Sequence, residues 1–311
     1  MFVAGLTSVL RLAAVHARWV LVGGLVLGLL FQDLAHYTRP SIPVFIWLLL
    51  FIASFRIGPN GLLSAIADVK IHLWLTLVMQ GLVPLLLLVP IVLTGWQGFW
   101  VSAVLLVAAA SPISGSPSLI IMLGFNPAIA LRQLVVGTAL LPLTLLPILF
   151  YLPGVSDVGA VFQASLKLLL VILSAAITGC LLRLIPTWRQ LDDDALNQVD
   201  GLSAIFMALA VIGLMSAIND AFLRSPVYLF GLLVLAFAVN IGLQISCFFL
   251  WGRTTLTDYR VPVSVIAGNR NIALYLTALP AAVTEPLLAF IGCYQFPMYL
   301  TPLLMNRLYK R

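Results

Sequence analysis

Apolar residues run along this chain in long blocks, separated by short polar connections. Blocks of roughly 18–25 residues, at 1.5 Å per residue, cross a hydrocarbon core about 30 Å thick. Ten are predicted, at about 19–36, 42–57, 72–94, 99–123, 128–152, 162–184, 201–220, 226–251, 260–282 and 286–308. The expected fold class is an all-α membrane protein with ten transmembrane helices. The longest polar connection, "RLIPTWRQLDDDALNQVDG", lies near the chain midpoint and divides the blocks five and five. Two five-span halves joined in series must be inverted relative to each other, because five is odd. The expected organisation is an amphipathic segment at 1–18, a first repeat at 19–153 and a second at 154–311. In the first segment Phe2, Leu6, Val9, Leu10 and Ala13 share the spacing of a helix lying on the inner membrane surface.

Two blocks lose their apolar pattern at the centre. The fourth reads "VAAASPISGSPSLIIMLG", with Pro112, Pro117, Gly115 and four serines. Each proline removes a backbone hydrogen bond and clashes with the preceding turn, so a helix broken at mid-membrane is expected. The ninth carries "AGNRN" at the equivalent place. A pair of interrupted hydrophobic segments in corresponding positions of two halves points to a transporter's binding site. Pro142 and Pro147 in the fifth block, and Pro297 and Pro302 in the tenth, repeat the same spacing 155 residues apart.

Composition agrees with this reading. The 311 residues are 62% apolar and 8% charged, where a soluble domain carries about 25% charged residues. The net charge of +6 reflects topology. With both termini on one side, that side holds twelve basic residues and the other holds Arg39, Lys167 and Arg224. The positive-inside rule then puts both termini in the cytoplasm. No basic-aromatic cluster marks a nucleic-acid partner; the lipid bilayer is the partner expected, and the oligomeric state stays open. Cys180, Cys247 and Cys293 lie inside apolar blocks without metal or disulfide spacing, and His16, His36 and His72 lie near block ends, far apart. The acidic run "RQLDDDALNQVD" is expected to be a solvated loop; its consecutive acids lack the spacing of a calcium loop.

Arg270 is the one basic residue left over. It lies ten residues past Arg260, about 15 Å along a helix and so near mid-membrane. A central arginine costs roughly 3 kcal/mol on insertion scales, and its guanidinium does not deprotonate. No block carries a carboxylate near its middle. Two readings stay open: carbonyls at the ends of broken half-helices hold the guanidinium, or it receives an anion from outside. Asn240 and Gln244, at i and i+4, either line a cavity or join helices. An enzyme is not expected: Ser111, Ser114, Ser116 and Ser118 have no mid-depth His or Lys to activate them, and HExxH and GxSxG are absent.

In "MQGLVPLL" (Met79–Leu86), "SPISGSPSLIIMLGFNPAIAL" (Ser111–Leu131) and "IAGNRNIAL" (Ile266–Leu274), the chain resembles the bile acid–sodium symporter family. That family belongs to a wider group with arsenite and riboflavin-type transporters. The resemblance implies ten helices arranged as a panel and a core, with two discontinuous helices crossing where sodium binds. By position, Gln80 matches a glutamine that helps hold sodium, and Asn271 an asparagine on the second crossing helix. Ser114, Ser116 and Ser118 fall where the first crossing helix supplies polar ligands. The departures are sharp: Ile266 stands in place of the sodium-binding glutamate and Arg270 in place of a glutamine ligand, and an asparagine near Ser118 is missing. The set Gln80, Ser118, Ile266, Arg270 and Asn271 is thus a degenerate sodium site, with Gln80 a candidate partner for the guanidinium. No cofactor is expected, sodium included.

The function expected is secondary active transport of a small organic anion, in the bacterial inner (plasma) membrane. Candidate substrate-binding residues are Arg270, Asn269, Asn271, Gln80, Ser114, Ser116, Ser118 and Asn240. The alternatives are a transport-inactive sensor or binding protein of the same fold, and a sodium-coupled symporter with a remodelled site.

Overall fold

A backbone in lipid must satisfy its own hydrogen bonds, which favours helices. The chain is 85% helical, with no strand among the described residues. The computed structural model describes every residue except Met1, Gln97, Pro153, Gly154, Ser156 and Arg311, and not the side chains of residues 2–6 and 62–67. The apolar positions Phe2 and Leu6, and Arg311 in the charge tally, therefore lie outside the description.

The helices are α1 (Phe2–Val15), α2 (Ala17–Leu30), α3 (Gln32–Thr38), α4 (Ile42–Ala67), α5 (Val69–Thr76) and α6 (Val83–Thr94). They continue as α7 (Phe99–Ala109), α8 (Ser116–Met122), α9 (Ala128–Thr144), α10 (Leu146–Leu149), α11 (Val158–Leu182) and α12 (Pro186–Arg189). The last are α13 (Asp193–Arg224), α14 (Pro226–Trp251), α15 (Arg260–Gly268), α16 (Ala281–Leu304) and α17 (Asn306–Tyr309). Among the described residues six stretches are long and apolar enough to cross a membrane: Gln32–Gly61, Val69–Thr94, Val158–Leu182, Asp193–Arg224, Pro226–Trp251 and Ala281–Leu304. A seventh arises if α1 and α2, bent by 91°, are counted together, and α7 and α9 are shorter apolar helices. These helices are consistent with a multi-pass membrane protein. The two proline pairs act differently: the helix breaks at Leu145 between Pro142 and Pro147, whereas α16 runs through Pro297 and Pro302.

The chain divides into two compact units, each drawing on both halves of the sequence: Met1–Gly61 with Val171–Leu229, and Leu62–Leu170 with Phe230–Arg311. In the first unit α13 packs on α1, α2 and α3. Small residues permit the close approach: a Cβ at Gly24 would lie 3.0 Å from Ala208, and one at Gly28 2.8 Å from Met215. The acidic run departs from the loop expected of it. Asp192 caps α13 by accepting from the Ala195 N–H at 2.8 Å, and Asp193 and Asp194 fill its first turn. Carboxylates there answer the free N–H groups and positive pole of the helix. Asp194 pairs with Arg11 and Asp200 with Arg56, so much of the run is engaged by basic side chains. On α1, Ala13 is buried whereas Val9 is exposed. The second unit holds both interrupted segments.

Candidate functional site

Sequence chemistry dictates the first interruption. Helix α7 stops at Ala109; Ala110 is extended, and Pro112 biases Ser111 away from helical geometry. The helix resumes as α8 with Pro117 in its first turn, where a missing N–H costs nothing. The second interruption follows α15, where Asn269 (φ −97°, ψ 84°) and Asn271 (φ −85°, ψ 66°) leave helical geometry before a 3₁₀ segment, Ile272–Thr277. The two breaks meet. Pro112 and Arg270 form an antiparallel bridge, in which the Ile113 N–H donates to the Asn269 carbonyl at 3.0 Å and the Asn271 N–H to the Ser111 carbonyl at 2.8 Å. Backbone groups freed by one break thus satisfy those freed by the other, as buried backbone requires.

Arg270 sits at this junction with 3% of its surface exposed. Its Nε donates to the Ala267 carbonyl at 2.9 Å and an Nη to the Ala110 carbonyl at 2.8 Å. These carbonyls belong to the C-terminal ends of α15 and α7, which carry partial negative charge. Hydrogen bonds to a charged group contribute about 1.5–3 kcal/mol each. Of the two readings left open by the sequence, the carbonyl clamp is present.

A second polar network fixes the α15 terminus. The Gly268 carbonyl accepts from Asn240 Nδ2 at 2.7 Å and from the Tyr294 hydroxyl at 2.6 Å. Gln244 Nε2 donates to Asn240 Oδ1 at 2.7 Å, and the Tyr309 hydroxyl donates to Gln244 Oε1 at 2.8 Å. Asn269 donates through Nδ2 to the Val265 carbonyl at 2.8 Å and accepts from Thr301 at 3.1 Å. Asn240 and Gln244 therefore join helices, and Asn269 is bonded within the fold. Gly268 is required here: a Cβ would lie 2.2 Å from the Asn240 backbone oxygen.

The other candidates separate. Ser116 is buried and donates to the Ile113 carbonyl at 2.7 Å; Ser114 and Asn271 are half-buried; Ser118 is exposed on α8. Gln80 lies on a π-helical turn, Leu77–Leu82, and is fully buried. The pairing with Arg270 expected of it is not made: among the described residues neither Gln80 Oε1 nor Nε2 has a hydrogen-bond partner. Its amide instead packs on Gly137 of α9, where an added Cβ would lie 2.4 Å from Nε2 and 3.0 Å from Pro112. Ser111 Oγ and Thr138 Oγ1 are likewise buried without partners among the described residues. Gln80 and Ser111 thus bring unpartnered polar atoms to the first break. Buried polar atoms left unpaired cost about 1–3 kcal/mol each, and a polar ligand would relieve them.

Ile266 is fully buried in an apolar cluster with Val263, Val265 and Ala267. Among the described residues no three His, Cys, Asp or Glu side chains come together as a metal site. A cavity of about 300 Å³ lies by the first turns of α7 and α16, lined by Phe99, Ser102, Pro286 and Leu287 among others. It is at the opposite end of α7 from the junction. A scan against protein-family models finds no match to this chain, and a search of curated proteins finds none either.

Proposed function

We propose that the protein is a sodium-independent secondary transporter of a small organic anion, related in plan to the bile acid–sodium symporters. In this reading ten spans form two inverted five-helix repeats in the bacterial inner membrane, with both termini cytoplasmic. The division into two compact units, each drawn from both halves of the chain, supports a panel-and-core plan. The observation that carries the proposal is the guanidinium of Arg270 clamped by the Ala110 and Ala267 carbonyls where the two breaks pair. A fixed cation there meets the carbonyls that a bound metal ion would otherwise meet. Gln80 and Ser111 supply the polar contacts for the substrate, alongside the half-buried Asn271 and Ser114.

A panel of mono- and dicarboxylates, screened by thermal shift and radioligand binding in sodium-free choline buffer, tests this reading. At least one carboxylate should bind, and Arg270→Gln should weaken it at least tenfold. Binding that demands sodium, or no carboxylate binding at all, overturns it. The complete internal bonding of Asn269 and Asn240 favours a second reading, a binding protein that kept the fold without transporting. Binding with no counterflow in proteoliposomes would establish that alternative.

A further inference from the structure

His72 is placed by sequence at the end of a block, yet it is fully buried within the second unit. It belongs to a closed polar loop. His72 Nδ1 lies 3.0 Å from Gln133 Oε1, Gln133 Nε2 donates to Thr76 Oγ1 at 2.8 Å, and Thr76 donates to the His72 carbonyl at 2.8 Å. One assignment satisfies all three bonds. The single hydroxyl proton of Thr76 goes to the carbonyl, so its oxygen accepts from the amide of Gln133. The amide oxygen then faces the ring, and Nδ1 carries the imidazole proton. The other ring nitrogen, Nε2, is buried and has no partner among the described residues. Its lone pair is an unfilled acceptor inside the protein.

The loop is one end of a longer file. His72, Thr76 and Gln80 follow at i, i+4 and i+8, and on the facing helix α9 Gln133 and Gly137 follow at i and i+4. Gln80 packs on Gly137 beside Pro112 at the helix junction. The file therefore runs from the Asp68–Arg132 ion pair toward the break that Arg270 clamps. The charged and titratable groups facing His72 are that ion pair and Tyr259, whose ring centre is 6.2 Å from the imidazole.

We propose that His72 is the proton-binding site that couples this protein to the proton gradient. A proton adds to the Nε2 lone pair while Nδ1 keeps its own, giving an imidazolium and raising the charge of the unit by one; nothing is oxidised or reduced. This rests on the anion-transport reading and names its coupling ion. One proton carried with each monoanion makes the cycle electroneutral. Eight residues of helix separate His72 from Gln80, about 12 Å. A charge introduced at position 80 would, at an effective dielectric near 20, change proton binding at His72 on the order of tenfold, and the influence is reciprocal.

The test uses full-length protein in lipid nanodiscs with ring-labelled histidine. His16 and His36 are exposed, so a His16→Gln/His36→Gln background leaves one ring signal. That signal should titrate reversibly, with the proton at Nδ1 in the neutral form. Adding Gln80→Glu should tighten proton binding on the order of tenfold; if that variant does not fold, Asp68→Asn, which leaves the Arg132 charge unanswered, should weaken it. A ring that does not titrate while the protein stays folded, or that ignores both charge changes, overturns the proposal. A carboxylate that binds through Arg270 but is taken up independently of pH removes the proton site and leaves the transporter reading intact. A titrating ring in a protein that binds no carboxylate does the reverse.

Discussion

Replacing Arg270 by leucine removes both donors that hold the ends of α7 and α15. Bonds from a charged donor contribute about 1.5–3 kcal/mol each net of desolvation, so losing the pair should cost about 3–6 kcal/mol. That range overlaps the 3–5 kcal/mol found when one partner of a buried ionic interaction is removed. Arg270→Gln keeps one amide donor and should lose about half as much. Arg270→Lys keeps the charge but not the planar fork, and should fall between wild type and glutamine. The assay is thermal unfolding in detergent and sodium-free buffer, followed by tryptophan fluorescence from the seven tryptophans. The leucine variant should melt on the order of 10 °C lower. A leucine variant as stable as wild type would refute the clamp, because the two helix ends would then be held by something other than the guanidinium.

Three further outcomes are expected. Gly268→Ala forces a Cβ to within 2.2 Å of the Asn240 backbone oxygen, so its yield of folded protein, read by size-exclusion chromatography, should collapse; a normal yield would contradict the packing of α15 on α14. Gln80→Leu removes two unpartnered buried polar atoms and should raise the melting temperature, by about 1–3 kcal/mol of stability, while weakening carboxylate binding. A loss of stability there would mean that Gln80 serves the fold. Ser118→Ala, on an exposed position of α8, should leave carboxylate affinity within twofold of wild type, and a tenfold loss would return Ser118 to the site.

The breaks and the clamp were legible in the sequence for a physical reason. Proline near position 112 and the Gly-Asn-Arg-Asn run change what the backbone itself can do, whatever surrounds them. An arginine far from both ends of a block must be compensated wherever the helix turns. The carbonyl clamp was one of only a few answers available to it. What the sequence concealed is facing. In a membrane helix both the lipid side and the protein side are apolar, so no amphipathic stripe tells which polar residue points inward. Ser116 and Ser118 are two residues apart, yet one is buried and the other exposed. Asn240 and Asn269 looked like substrate ligands and are spent on Gly268 and Val265 carbonyls. His72, Thr76 and Gln80 did carry a signal, their spacing of four, which gains meaning once Gln133 and Gly137 are seen on the facing helix.

The most direct measurement is equilibrium binding of radioactive sodium to wild type and to an Ile266→Glu/Arg270→Gln variant. If the Arg270 guanidinium stands where a cation would sit, wild type should bind no sodium, and the variant, with an acid regained and the fixed charge gone, should bind it. Specific sodium binding by wild type, with Arg270 in place, would contradict that claim outright.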